Sequence, residues 1–245
     1  MTANPGDVWV SPCGKMELRC GRWQEVLADV GSVDAVITDP PYSATTHAGA
    51  LDATTLEKGV PYPYWDRSDL DSLFGFILRA SGWVVIHTDD ILGPVIRGLA
   101  LAGGRYAFPL LPVLQQQPRV TGDGPPQHGH YLAVSRPKER RFLSWGSLPG
   151  WYVARRDGSL VRGGKPLGLM RQIVRDYSRP GDLICDPCAG GATTLLAAAI
   201  EGRTAIGAEM DPKTFELAVK RLSAGYTPNL QLESKPKPKQ GKLIS

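Results

Sequence analysis

Val33-Asp34-Ala35-Val36-Ile37-Thr38-Asp39-Pro40-Pro41-Tyr42 is the stretch from which the rest of the chain is read. It opens on a short apolar run rich in β-branched residues, the pattern of a strand buried on both faces in a parallel sheet. It stops at an acid, two prolines and a tyrosine. Neither proline can donate to a β ladder, and each restricts the backbone of the residue before it, so the strand must end in a stiff, non-helical tip. In open α/β sheets the carboxyl edge of the strands is where ligands bind. This tip offers a carboxylate, carbonyls with no competing N–H, and an aromatic face. The set suits a flat heterocycle with an exocyclic amine, since the oxygens accept from the amine and the ring stacks on the tyrosine. An ordinary turn, with Asp39 capping and Tyr42 packing, would use the same residues, so a second motif has to decide.

Composition bounds the answer. A chain of 245 residues, 42% of them hydrophobic, can bury one sizeable α/β core. A net charge of +4 permits an anionic partner without demanding one. Cys13, Cys20, Cys185 and Cys188 do not suggest a disulfide scaffold. Met1 to Asp7 lacks the apolar core of a signal peptide, and no apolar run is long enough to span a bilayer. The expectation is a soluble cytoplasmic protein with no membrane partner.

Val8-Trp9-Val10 and Met16 to Cys20 flank a turn and read as a hairpin, followed by a helix over Arg22 to Val30. Residues 43 to 66 read as a long loop, either a lid over the tip or a flexible insertion. Asp69 to Ala80 has a helical apolar period. Trp83 to His87 reads as a buried strand, and Asp90 to Ala102 as a helix despite Gly93-Pro94. Tyr106 to Leu114 and Tyr131 to Ser135 look like paired strands, with Gln115 to Pro126 as the loop between them. From 136 to 165 come Arg136, Lys138, Arg140, Arg141, Arg155, Arg156, Arg162 and Lys165 against Glu139 and Asp157, with Trp145, Trp151 and Tyr152 interleaved. Cations among stacking residues suit a nucleic-acid backbone and its bases, though a solvated basic edge would look similar. Pro166 opens a helix that runs through Asp176, and Leu183 to Asp186 reads as a strand. The expected organisation is one domain over 1–233, with a small recognition region at about 115–165. A basic, proline-rich tail at 234–245 is too polar to pack.

The second motif is Asp186-Pro187-Cys188-Ala189-Gly190-Gly191-Ala192-Thr193-Thr194, after a strand and before a helix. Its small residues let a backbone approach a ligand, and the helix N-terminus supplies N–H groups. Thr204 to Ala208 reads as the next strand and ends in Glu209, about twenty residues beyond the glycine turn, where a carboxylate meets ribose hydroxyls. Asp211 and Pro212 start the following helix. The unit fits an adenosine-bearing cofactor, and the missing G-x-G-x-x-G weakens a nicotinamide or flavin reading.

Asp39-Pro40-Pro41-Tyr42 resembles the catalytic motif of amino-directed DNA methyltransferases, which act on N6 of adenine or N4 of cytosine. Asp186 to Thr194 resembles their S-adenosylmethionine motif, commonly written D-P-F-x-G-S-G-T-T, and Gly164-Lys165-Pro166-Leu167 resembles the K-P-L/F start of the helix before it. With the catalytic tip first and the cofactor loop last, the order is that of the family's beta type. The resemblance covers about residues 14 to 223. It implies a Rossmann-like, doubly wound, mostly parallel sheet with an antiparallel hairpin edge, the S-adenosylmethionine-dependent methyltransferase fold. It implies Asp39, Pro40, Pro41 and Tyr42 as the catalytic tip, taking a base flipped out of DNA. Lys165, Pro166, Asp186, Pro187, Cys188, Gly190, Gly191, Thr193, Thr194 and Glu209 would hold the cofactor. Arg136, Lys138, Arg140, Arg141, Arg155 and Arg156 are the candidate nucleic-acid contacts. Asp at the first position of the tip leans towards adenine. A homodimer and a cognate restriction enzyme are further partners such an enzyme could have.

The sequence departs from the pattern at Cys188, where Phe is usual, at Gly191-Ala192, where Ser-Gly is usual, and at Gly21-Arg22, where many relatives have Gly-Asp. Three other readings stay open: N4-cytosine methylation, methylation of RNA or a protein amide, and a nucleic-acid-binding protein that keeps the fold without turnover. Zinc at Cys185 and Cys188 is disfavoured, because Cys13 and Cys20 are more loosely spaced than structural ligands.

Overall fold

The computed structural model describes residues 2–50, 64–119, 127–138, 145–155 and 164–225. Among these, ten strands form one mixed sheet, in the order β1-β2-β10-β9-β3-β4-β7-β6-β8 with β5 on β7. The strands are β1 (Val8–Val10), β2 (Met16–Cys20), β3 (Ala35–Thr38), β4 (Val84–Thr88), β5 (Arg105–Ala107), β6 (Leu111–Arg119), β7 (Gln127–Pro137), β8 (Tyr152–Ala154), β9 (Leu183–Asp186) and β10 (Thr204–Glu209). From β2 through β10, β9 and β3 to β4 the pairing is parallel. It turns antiparallel at β7, and the β1–β2 hairpin closes the other edge. Ala35 faces Ile184 and Val36 faces Cys185, so the tip strand and the cofactor strand are parallel neighbours.

The period of two along each central strand feeds two cores, one per face. Ile37, Val85, Ile184 and Ala205 pack with Met170, Ile173, Leu195 and Phe215. These last come from α5 (Leu167–Tyr177), α6 (Thr193–Ile200) and α7 (Pro212–Gly225). Val36, Val84, Ile86, Cys185 and Ile206 pack on the other face with Trp23, Leu70, Leu73, Phe74 and Ile96. Those come from α1 (Trp23–Val26), α3 (Arg67–Ile77) and α4 (Leu92–Ala102). The sheet is doubly wound, as the resemblance implies.

Four expectations need correction. The stretch after the tip is not loop throughout, because Ala44–Ala50 forms a helix, α2. Ser43 Oγ accepts from the N–H of Thr46 at 3.4 Å, an N-terminal cap followed by alanine and threonine. Residues 51–63, with Tyr62 of the proposed lid, lie outside the described residues. The supposed loop from Gln115 is strand as far as Arg119, paired with Gln127, and 120–126 lie outside the described residues. The helix read over Arg22 to Val30 shrinks to four residues, since Leu27 leaves helical geometry. Finally, Pro166 is the N-cap of α5 and not its first helical residue. Pro94 is tolerated in the first turn of α4, where its missing N–H would have no intrahelical partner. The tail at 234–245 also lies outside the described residues. No helix among the described residues is long and apolar enough to cross a membrane.

Candidate active site at the carboxyl edge of the sheet

Parallel strands deliver their ends to one edge. β3 ends at Thr38, just before Asp39, while β9 ends at Asp186 and β10 at Glu209. The buried hydroxyl of Thr38 donates to Asp186 Oδ1 at 2.7 Å and joins tip to cofactor loop. The N–H of Cys188 reaches the same oxygen at 3.1 Å. Burial pushes the carboxyl of Asp186 up to about 6, against the pull of the Thr194 and Thr38 hydroxyls. Burial also pushes Glu209 up to about 7, although its carboxylate accepts from the N–H groups of Asp211 and Gly190.

Gly190 (φ +51°) and Ala192 (φ +55°) both take left-handed backbone as the loop turns into α6. Ala192 offers no side-chain cap to that helix. From α7, Arg221 Nη1 donates to the Gly191 carbonyl at 2.8 Å and to Thr193 Oγ1 at 2.6 Å, bracing the loop from behind. Two acids at adjacent strand ends and a tight loop at a helix N-terminus fit a cofactor with ribose hydroxyls and a charged amino-acid end. Burial raises the thiols of Cys185 and Cys188, which keeps both protonated and inert. Cys13 is exposed in the hairpin.

At the tip, Asp39 Oδ2 accepts from Lys165 Nζ at 2.5 Å. Its other oxygen, Oδ1, is buried and has no hydrogen-bond partner among the described residues. Lys165 Nζ also lies 5.1 Å from the centroid of the Tyr42 ring. The Tyr42 carbonyl accepts from the N–H of Trp65 at 3.0 Å, which pins the end of the tip. The sequence placed Lys165 with the cofactor, whereas its described contacts are with the tip.

Several positioning residues were missed. Asp89, buried just after β4, accepts from the Ser43 N–H (2.9 Å), the Thr46 hydroxyl (2.7 Å) and the Leu92 N–H (2.8 Å). It thereby ties the segment after the tip to the start of α4. Burial works against its charge, but these bonds hold it below the usual carboxylate range. His130, near the start of β7, lies 6.3 Å from Tyr42 between ring centroids, and its Nε2 is 2.8 Å from His87 Nδ1. Burial, then the charge of Lys165, keeps both imidazoles neutral. The clue in the sequence was a second histidine, separated by one glycine from His128 at the start of a strand.

The basic stretch divides. β7 runs against β4, with Tyr131 opposite Thr88 at the site edge and Ser135 opposite Val84. Arg136 and Lys138 therefore lie at the opposite edge, about 17 Å away at the rise of a strand. Arg136 stacks there on Tyr106 at 4.9 Å. Strand direction thus separates these two candidate nucleic-acid contacts from the tip. Arg155 follows β8, whose Ala154 pairs with Gln115 on β6, and stands exposed towards the site edge. Arg140, Arg141 and Arg156 lie outside the described residues.

Comparison with known proteins agrees with this geometry. Residues 156–220 match the family model described as DNA methylase. Over 58 residues, 24% of this chain, the sequence is 38% identical to a protein named DNA adenine methyltransferase YhdJ from Escherichia coli. Over 89 residues, 36% of this chain, it is 30% identical to type II methyltransferase M.BglI of Bacillus subtilis. These matches span only 20% and 26% of the relatives' own lengths. Among solved structures, the M1.HpyAVI–SAM complex superposes with a TM-score of 0.63 at 21% identity, covering 84% of this chain and 98% of that one. Thermus thermophilus TTHA0409, complexed with S-adenosyl-L-methionine, gives 0.61 at 24% identity over 85% and 93%. The cytosine-N4-specific PvuII DNA methyltransferase gives 0.55 at 15% identity over 89% and 94%. At these identities the structures show the fold.

Proposed function

We propose that this chain, a member of the N6/N4 DNA methylase family, transfers a methyl group from S-adenosylmethionine to an exocyclic amino group of a base in DNA, adenine N6 first. The observation that carries the reading is Oδ1 of Asp39, buried and without a partner among the described residues, standing beside the strand that ends in the cofactor loop. A buried carboxylate oxygen without a donor is costly, and an arriving amine supplies that donor.

The target base leaves the helix and stacks on Tyr42. Asp39 Oδ1 and the Pro40 carbonyl accept the amine hydrogens and draw the nitrogen lone pair out of conjugation. The cofactor supplies an electrophilic methyl group on a sulfonium, whose C–S bonding pair stays with sulfur as a neutral thioether. The new N–C bond leaves the nitrogen with one proton to lose, which passes to solvent. Asp186 and the loop through Thr194 hold the methionyl end, and Glu209 holds the ribose. Orientation and a largely dry polar site supply most of the acceleration. The recognition region begins where β6 and β7 run past the tip, with Arg155 on the same side. A second copy of the chain and a restriction enzyme of matching sequence preference are partners this reading admits.

The test is incubation with labelled S-adenosylmethionine and duplex DNA, single-stranded DNA, RNA or protein, followed by digestion and identification of the methylated product. N6-methyladenine is expected. N4-methylcytosine would overturn the base, methylated RNA or protein the substrate, and cofactor binding without transfer the activity. Asp39→Ala is expected to abolish transfer while keeping cofactor affinity.

A further inference from the structure

The tip's carboxylate is divided between two tasks. One oxygen of Asp39 is tied to Lys165 at 2.5 Å, and the other is buried without a partner among the described residues. The two side chains are 25% and 14% exposed, so water competes only weakly for the pair. The partners stand 126 residues apart in the chain, which means that the tertiary fold brings them together. An aspartate carboxylate turns easily about its last torsion. Untethered, its two oxygens would exchange places and neither would stay aimed. Lys165 faces Tyr42 as well, and its charge reaches His87 on β4 and His130 on β7. Asp186, on β9, is the acid that feels Asp39 from the cofactor side.

We propose that Lys165 is a positioning residue of the tip, holding Oδ2 of Asp39 so that Oδ1 is the atom presented to the target amine. This rests on the methyl-transfer reading above and assigns Lys165 to the amine, not to the cofactor. The ammonium binds one oxygen from one side. Its three donors need no second carboxylate oxygen, so Oδ1 is left for substrate.

The experiment combines Lys165→Met, Lys165→Arg, Asp39→Asn and the Met/Asn double variant. Thermal melts give a double-mutant cycle, calorimetry gives the affinity for S-adenosylmethionine, and single turnovers on DNA give the rate at saturating cofactor. The destabilisations by Met and Asn are expected to be non-additive, because each removes the same pair. Lys165→Met should bind cofactor within about threefold of the unmodified protein yet transfer at least about tenfold more slowly, and Lys165→Arg should regain most of that rate. If Lys165→Met does not fold, Lys165→Gln takes its place. Additive melts would overturn the pairing. A loss of cofactor affinity that accounts for the whole defect, with the saturated rate unchanged, would return Lys165 to the cofactor and overturn the proposal. Failure of the unmodified protein to methylate any DNA would instead refute the function, a result that leaves the melts and affinities readable.

Discussion

Cofactor affinity is expected to fall steeply just below neutral pH. Burial pushes Glu209 up to about 7 and Asp186 up to about 6. Only the ionised carboxylates can accept from the ribose hydroxyls and the methionyl ammonium without first losing a proton. Because both values are raised, the free protein gains protons as pH falls through them, and binding must expel those protons. At pH 8 the penalty is negligible. At pH 6 Glu209 contributes about elevenfold and Asp186 about twofold, together about twentyfold in Kd, or about 1.8 kcal/mol. Isothermal titration calorimetry with S-adenosylmethionine, in buffers of different ionisation enthalpy, reads both the affinity and the protons released. Glu209→Gln should bind more weakly at pH 8 but lose only about twofold between pH 8 and pH 6, the part that belongs to Asp186. The cofactor's own amino group titrates alike in both experiments, so the difference belongs to the protein. A Kd that stays flat from pH 8 to pH 6, or a variant as steep as the unmodified protein, would refute the reasoning.

Three further outcomes follow from packing. A Cβ at Gly129 would fall 1.8 Å from the Val113 carbonyl, which is backbone and cannot step aside, so Gly129→Ala should break the β6–β7 register and displace His130. Loss of transfer, with reduced hydrogen-exchange protection confined to β6 and β7, would show it. Arg105 is buried and donates to the Ala80 and Gly82 carbonyls and to Ser135; although burial pushes it down to about 10, it stays charged at neutral pH. Arg105→Met leaves those acceptors unmatched and should cost about 3–5 kcal/mol in urea denaturation. Ala192→Gly relieves about 1–2 kcal/mol of left-handed strain but gives up a buried methyl worth about 0.8 kcal/mol and adds unfolded-state freedom. Stability is therefore expected to stay within about 1 kcal/mol by the same assay, and a gain of more than about 2 kcal/mol would mean that strain had been undervalued.

The strands that carry the site were legible because their chemistry is local. Val36 and Ile37 had to be buried on opposite faces, and Pro40-Pro41 had to end the ladder. Asp211 announced its helix through a cap, and Thr214 does donate its N–H to that side chain at 2.9 Å. What was missed depended on strand direction or distant partners. Arg136 and Arg155 belong to one basic run, yet β7 carries the first away from the site while β8 brings the second towards it. Nothing in a run of charges records which way its strand points. Lys165 was assigned to the cofactor through the resemblance of Gly164-Lys165-Pro166-Leu167 to a family motif, whereas its described contact is with Asp39, 126 residues away. The same holds for Asp89, whose position before a helix suggests a cap but not its bonds to Ser43 and Thr46.

Thr38 shows why the two motifs function only together. Methyl transfer needs the amine and the methyl group in line, yet their holders lie 148 residues apart between Thr38 and Asp186. Parallel pairing of β3 with β9 sets the two strand ends side by side, but backbone pairing alone leaves the side chains beyond it free to shift. The Thr38 hydroxyl closes that gap with one buried bond of 2.7 Å, from the last residue of the tip strand to the first acid of the cofactor loop. It also opposes the burial that raises Asp186, so the contact that aligns the halves helps keep the acid ionised. Valine would match threonine in shape while leaving Asp186 short of a donor, and alignment and charge would then be lost together. In this architecture the order of the motifs along the chain matters little, because the edge where their strands end is what would bring together the amine and the methyl donor of the proposed reaction.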